Sequence, residues 1–398
     1  MNPASWFNQV VTVTEMNLRN LPARLGTSLV AVIGIGGVVA VLVSLLSMGE
    51  GFRAALDLSG RDDVAMILRG GSSDELSSGF SRDQFNVIAS APGIVRDARG
   101  PVASGELYTI VDLPMRSTGT AANVPFRGVT SRAVDVRDQF RIVAGRMFEP
   151  GKDEVIIGRG AFAQFGNVDL GRVVTWGSHS WRVVGIFEAG GSVSESEVWT
   201  DLTLLQGVYR RGNSVQSVRA KLTSPATLRS VKAALERDPR VNVSVRSERD
   251  FYADQSRILI GLIKYVGTTI AVLMGIGAVF AALNTMYSAV SSRTREIATL
   301  RALGFGAAPV VTSVLLESVL LGLLGGIVGG VLVYFVLNGY QASTLNWASF
   351  SQITFAFTVT PRLLVTGLVY SLILGFIGGL LPGVRAARMP VTAGLREL

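Results

Sequence analysis

The sequence predicts an α-helical membrane protein with four transmembrane helices and one large external α+β domain. The domain is expected to be a split β-α-β core carrying an inserted, mostly β subdomain. Three observations predict this. Four apolar runs are each long enough to cross a bilayer, which takes about 20 residues. Charge is uneven: 26 of the 37 Lys/Arg and 24 of the 29 Asp/Glu fall between Gly51 and Ser256, leaving eleven and five for the rest of the chain. Strand-like alternation and short helical patterns are confined to that charged middle.

Hydrophobic residues make up 48% of the chain and charged residues 17%. Soluble domains average about 25% charged, so part of this chain dissolves in something other than water. The net charge of +8 comes mainly from short basic segments flanking the apolar runs. Nucleic acid is not an expected partner, because the middle has no basic stripe with interleaved aromatics. The absence of cysteine excludes disulfides, thiolate metal sites and cysteine nucleophiles. One histidine, His179, leaves zinc and Ser-His-Asp chemistry short of parts. No metal site is expected.

Residues 1–24 begin with apolar positions at Trp6, Val10, Val13, Thr14 and Leu18 and end on Arg19 and Arg24, an interfacial elbow helix. The first span is 25–50. Its apolar run starts too late and runs too long for a cleaved signal peptide. The external domain covers 51–256. Asp63–Leu68, Arg82–Ser90 and Ala103–Val111 give strand, helix, strand, and Val215–Leu222, Leu228–Leu235 and Val241–Val245 repeat that order. Between them, about 116–200, short strands at Glu154–Ile157, Arg172–Trp176 and Trp181–Phe187 form the insertion. The second span, 257–290, continues a stalk that begins near Glu248. The third span is 310–338, an external loop is expected at 339–362, and the fourth span is 363–381, ahead of a tail at 382–398.

Arg19 and Arg24, the loop 291–309, and Arg385, Arg388 and Arg396 all fall on one side of a four-span protein, so the positive-inside rule places them in the cytoplasm. Within that loop, Arg293, Arg295 and Arg301 face a single acid, Glu296. Ile297, Leu300 and Leu303 give a short amphipathic helix, with Gly304 as its stop. The third span carries Gly322, Gly325, Gly326, Gly329 and Gly330, and the last carries Gly375 and Gly379. Small residues at that spacing allow close helix approach, within one chain or between two. Glu317 is the one acid inside a span, and is either a functional group or the partner of a nearby arginine.

The chemistry for hydrolysing a nucleotide is missing from these residues. The nearest approach to a phosphate-binding loop, Gly145 to Asp153, is one residue too long and ends in aspartate where a hydroxyl would hold magnesium. The spans offer almost no charged lining. Such a protein should transmit motion rather than conduct a solute.

The run Asn284 to Gly304 resembles the segment after the second span of MacB/FtsX-type ABC transporter permeases. The tail from Leu381 to Arg396 is similar to their ending, although Gly383 and Gly394 depart from it. Glu317 stands where the family commonly has a glutamate, and Gly145-Arg-Met-Phe with Glu154 to Gly158 resembles the MacB-like core domain. The resemblance implies a permease of the bacterial inner membrane that is not itself an enzyme and pairs with a second copy or a paralogue. It implies that a separate MacB- or LolD-type ATPase binds ATP and magnesium, so no cofactor belongs to this chain. Arg293, Arg295, Glu296, Ile297, Leu300, Arg301, Leu303 and Gly304 would form its coupling helix. A periplasmic adaptor and an outer-membrane channel are implied further partners, besides membrane lipid. Export of a periplasmic substrate is the leading expectation. Lipoprotein release and regulation of a cell-wall hydrolase are the alternatives.

Overall fold

A computed structural model of the protein describes residues 3–19, 25–137, 139–346 and 351–394. Arg24 and Arg396, both counted in the basic flanks, lie outside the described residues. Among the described residues, six helices of nine or more residues carry the membrane part: α1 (Pro3–Arg19), α2 (Leu25–Ser59), α3 (Glu248–Ser291), α4 (Thr294–Ala302), α5 (Ala307–Leu337) and α6 (Pro361–Arg388). Four of these, α2, α3, α5 and α6, are long and apolar enough to cross a membrane. At 1.5 Å per residue the 44 residues of α3 measure about 66 Å, roughly twice the hydrocarbon thickness. The stalk expected from Glu248 is thus the unbroken start of a span. The chain divides into a helical unit (up to Glu50, Leu262–Tyr340 and from Thr358) and a second unit (Gly51–Gly261 and Gln341–Phe357).

In the helical unit, glycines bring backbones together. A Cβ on Gly329 would lie 2.3 Å from the Gly36 carbonyl oxygen, and one on Gly325 2.9 Å from that of Val32, so α2 and α5 touch there. The α5–α6 contact uses Gly322, Gly326, Gly375 and Gly379 against Ser371 and Ser318, and the Ser318 hydroxyl donates to the Gly375 carbonyl at 2.6 Å. Gly330 meets only the end of Leu364. The predicted close-packing glycines therefore pack within one chain. On α1, Val10 and Val13 are buried while Trp6 and Phe7 stay exposed. The fourth span was expected to stop at Leu381, but α6 continues through Pro382 to Arg388. Pro382 and Gly383 are buried, and Gly383 lies against Val311 and Val314 of α5, so packing outweighs the lost hydrogen bond.

The second unit is built on one sheet of ten strands: β1 (Val64–Arg69), β2 (Ala103–Pro114), β3 (Ala121–Val129), β4 (Phe140–Gly145), β5 (Glu154–Gly158), β6 (Val173–Trp176), β7 (His179–Ala189), β8 (Val198–Asp201), β9 (Ser217–Lys221) and β10 (Val243–Ser247). Their order is β10-β1-β9-β2-β3-β8-β5-β7-β4, with β6 paired to β7. Helices Arg82–Ala89 and Leu228–Glu236 follow β1 and β9, which gives the expected repeated order. The first begins in a capping box between Ser81 and Gln84.

The insertion is not a separate sheet. Residues 103–106 of β2 pair with β9, and residues 107–114 of the same strand pair with β3. One strand therefore joins two hydrophobic cores, one around Ile67, Ile88, Val218 and Val231 and the other around Phe126, Phe165, Trp181 and Val183. The expected loop at 339–362 is also corrected. It holds an antiparallel hairpin, β11 (Gln341–Asn346) and β12 (Ser351–Ala356), that belongs to this second unit. Ile353 and Phe355 are buried, Phe355 lies edge-on to Phe52, and the Thr354 N–H donates to the Ser196 hydroxyl at 2.8 Å.

Candidate functional site

The short helix α4 starts after a break of two residues beyond α3 and ends as its sequence requires. Gly304 has φ +95°, the left-handed value that glycine adopts without a Cβ clash. The Phe305 N–H reaches the Leu300 carbonyl and the Gly304 N–H reaches that of Arg301, both at 3.1 Å, a Schellman stop. The Gly306 N–H donates to the side chain of Gln9, which ties α1 to the loop entering α5.

The eight residues expected to form a coupling surface separate into two sets. Arg295, Glu296, Leu303 and Gly304 are exposed, Leu303 at 74%. Ile297 is buried in a cluster with Met286 and Val290 of α3, Val310, Val314 and Leu321 of α5, and Ala386 of α6. Leu300 is half-buried, and Arg301 donates to the Met389 carbonyl at 2.8 Å, holding the segment after α6. Arg293, expected among the outward contacts, turns inward. Its two terminal nitrogens donate to the two carboxylate oxygens of Glu317 at 3.0 and 3.2 Å, and both residues are 4% exposed. Arg293 is the residue before the first turn of α4, so amphipathic spacing along α4 does not govern where it points.

A second charged constellation lies in the sheet unit. Arg127 of β3 and Arg219 of β9 are fully buried. Arg127 binds Glu75 and Glu197 in paired contacts of 2.7–3.0 Å and Glu106 at 3.0 Å. Arg219 reaches Glu106, Glu75 at 3.3 Å, Glu248 at 3.1 Å and the Tyr252 hydroxyl at 3.2 Å. Arg137 adds two contacts to Glu106. Burial alone would raise the Glu75 carboxyl, but the Arg127 and Arg219 guanidinium groups hold it at about 2. Burial likewise opposes the ionised form of Glu106, and Arg137, Arg219 and Arg127 keep it well below the usual carboxylate range. Strand alternation places Arg219 opposite the core residues Val218 and Ala220, on a face that reads as solvent-exposed. The first turns of α3, through Glu248 and Tyr252, cover that face.

Two family matches together span most of this architecture. Residues 28–238 match the MacB-like periplasmic core domain, and residues 268–391 match the FtsX-like permease C-terminal domain. The chain belongs to the MacB/FtsX family of ABC transporter permeases. In this MacB/FtsX permease the second match contains α4, Glu317 and all seven close-packing glycines. The first contains Glu75, Glu106, Arg127, Arg137, Glu197 and Arg219, while Glu248 lies between the two.

The macrolide export ATP-binding/permease protein MacB of Bordetella avium is 24% identical over 417 residues, covering 99% of this chain and 61% of that protein. That of Campylobacter jejuni is 25% identical over 419 residues, covering 97% and 60%. The chain thus spans about three-fifths of the length of these curated relatives. The crystallised periplasmic region of MacB from Actinobacillus actinomycetemcomitans is 13% identical, covering 48% of this chain and 92% of that one, with a TM-score of 0.36.

Proposed function

We propose that this MacB/FtsX permease passes ATP-driven movement from an ATPase on the cytoplasmic side to a periplasmic domain, to export a substrate already in the periplasm. The observation that carries the proposal is the exposure of Arg295 and Glu296 in the first turn of α4 and of Leu303 just past its last turn, while Ile297 between them is buried. Covering a leucine removes apolar area worth about 1.5–3 kcal/mol, and flanking charges supply orientation. The basic flanks support a cytoplasmic position for α4 and for both termini of the four-span arrangement.

The relatives are named for ATP binding as well as for permease, and these 398 residues hold no phosphate-binding loop. In this reading ATP and magnesium are bound by a MacB- or LolD-type ATPase outside them. A second copy or a paralogue would complete the permease. A periplasmic adaptor and an outer-membrane channel would carry substrate onward.

The test is capture of the cognate ATPase by the purified, membrane-inserted chain. Leu303→Asp combined with Glu296→Lys should weaken capture by about tenfold or more, the scale of losing an interface anchor. Capture at the parental level, with the variant correctly inserted, would refute the assignment.

A further inference from the structure

We propose that Arg293 and Glu317 form a latch that makes α4 and the third span, α5, move as one body. This rests on the reading of α4 as the ATPase contact. Glu317 is the eleventh residue of α5, about 15 Å from its start, so α4 is pinned to the flank of the span rather than to its end. The pairing is two-pronged, each terminal nitrogen of Arg293 on its own carboxylate oxygen, which fixes orientation as well as distance.

Besides the short connection through residues 303–306, the packing between α4 and α5 among the described residues is apolar, with Ile297 in one buried cluster with Val310 and Val314. Apolar contact is non-directional and tolerates sliding. A buried ion pair does not, because separating it leaves two charges unpaired among hydrocarbon side chains. Stability alone does not call for the pair, since well-packed apolar residues hold buried positions at least as well. What the pair adds is register. The Arg293 Nε, buried and without an acceptor, leaves Glu317 as the acceptor of this guanidinium among the described residues.

The chain has no cysteine, so paired labels can be introduced cleanly. Spin labels at Thr299→Cys on α4 and Leu332→Cys on α5 would report the distance between the helices within one chain, in a complex assembled with its ATPase and an excess of unlabelled chain so that distances between copies do not contribute, with and without ATP and vanadate. The expected result is a single narrow distance that trapping leaves unchanged. In Arg293→Met with Glu317→Met, which removes the latch without orphaning a charge, the distribution should broaden or shift on trapping while ATPase capture stays parental.

A distance that changes on trapping in the parent chain, or a double variant that behaves as the parent, overturns the latch and leaves the ATPase contact standing. Failure of the parent chain to capture the ATPase overturns both. If Arg293→Met alone fails to insert, the double variant still decides.

Discussion

Gly329→Ala tests whether the glycines of α5 serve contacts inside one chain. The added Cβ would sit 2.3 Å from the Gly36 oxygen, 3.1 Å from the Gly36 carbonyl carbon and 3.2 Å from the Ala40 nitrogen. All three are backbone atoms of α2, so no side chain can rotate away and the two helices must separate by about 1 Å to restore van der Waals contact. Overpacking of this kind costs about 1–3 kcal/mol, against a gain of up to about 1 kcal/mol from replacing glycine by alanine within a helix. Gly37→Ala on α2 isolates the second effect, because a Cβ there meets nothing within 4 Å. Reversible unfolding in mild detergent, titrated with a denaturing one, should show Gly37→Ala unchanged or more stable. Gly329→Ala should lie about 1–3 kcal/mol below it, independently of protein concentration. Equal shifts for the two variants would refute the packing argument. A deficit that appears only at high protein concentration would place Gly329 between copies instead.

Acidification should act through the buried network. Glu75, held at about 2 against an ordinary 4.5, contributes stability that is fully present above pH 4.5 and lost as the pH falls towards 2. Between pH 6 and 3 the parent should therefore lose more stability, by tryptophan fluorescence in urea, than Glu75→Gln does. At the end of α4, Gly304→Ala forces a Cβ into the left-handed region at φ +95° and should cost about 1–2 kcal/mol. Amide exchange at Phe305 should quicken, and Gly304→Asn, which tolerates that region, should be milder.

The spans, the stalk and the strand-helix order were legible because each rests on local periodicity. Apolar runs of more than 20 residues admit few other readings, and Gly304 ends α4 for a reason carried by glycine itself. Arg293 was not legible as an inward group, since it precedes the helix whose spacing was being read. Arg127 and Arg219 were not legible either. Each alternates with core residues as a solvent-facing side chain would, and only the packing of α3 and the Glu75 segment across the sheet encloses them. The β11–β12 hairpin was missed because two six-residue strands next to an apolar span carry little signal beyond the buried alternation of Ile353 and Phe355.

The single strand that joins both hydrophobic cores has a consequence for biogenesis. Residues 103–106 of β2 wait for β9, more than 100 residues later in the chain, and β1 waits for β9 and β10. During synthesis the hairpin of β2 and β3 can close at once, but the other edge of β2 stays bare while the insertion is made. Closure across that separation is slow, and an unpaired strand edge is an aggregation template in the interval. This domain should therefore be most vulnerable to truncation just before Ser217. A chain stopped there presents an open sheet, with neither β9 nor β10 to cover β1.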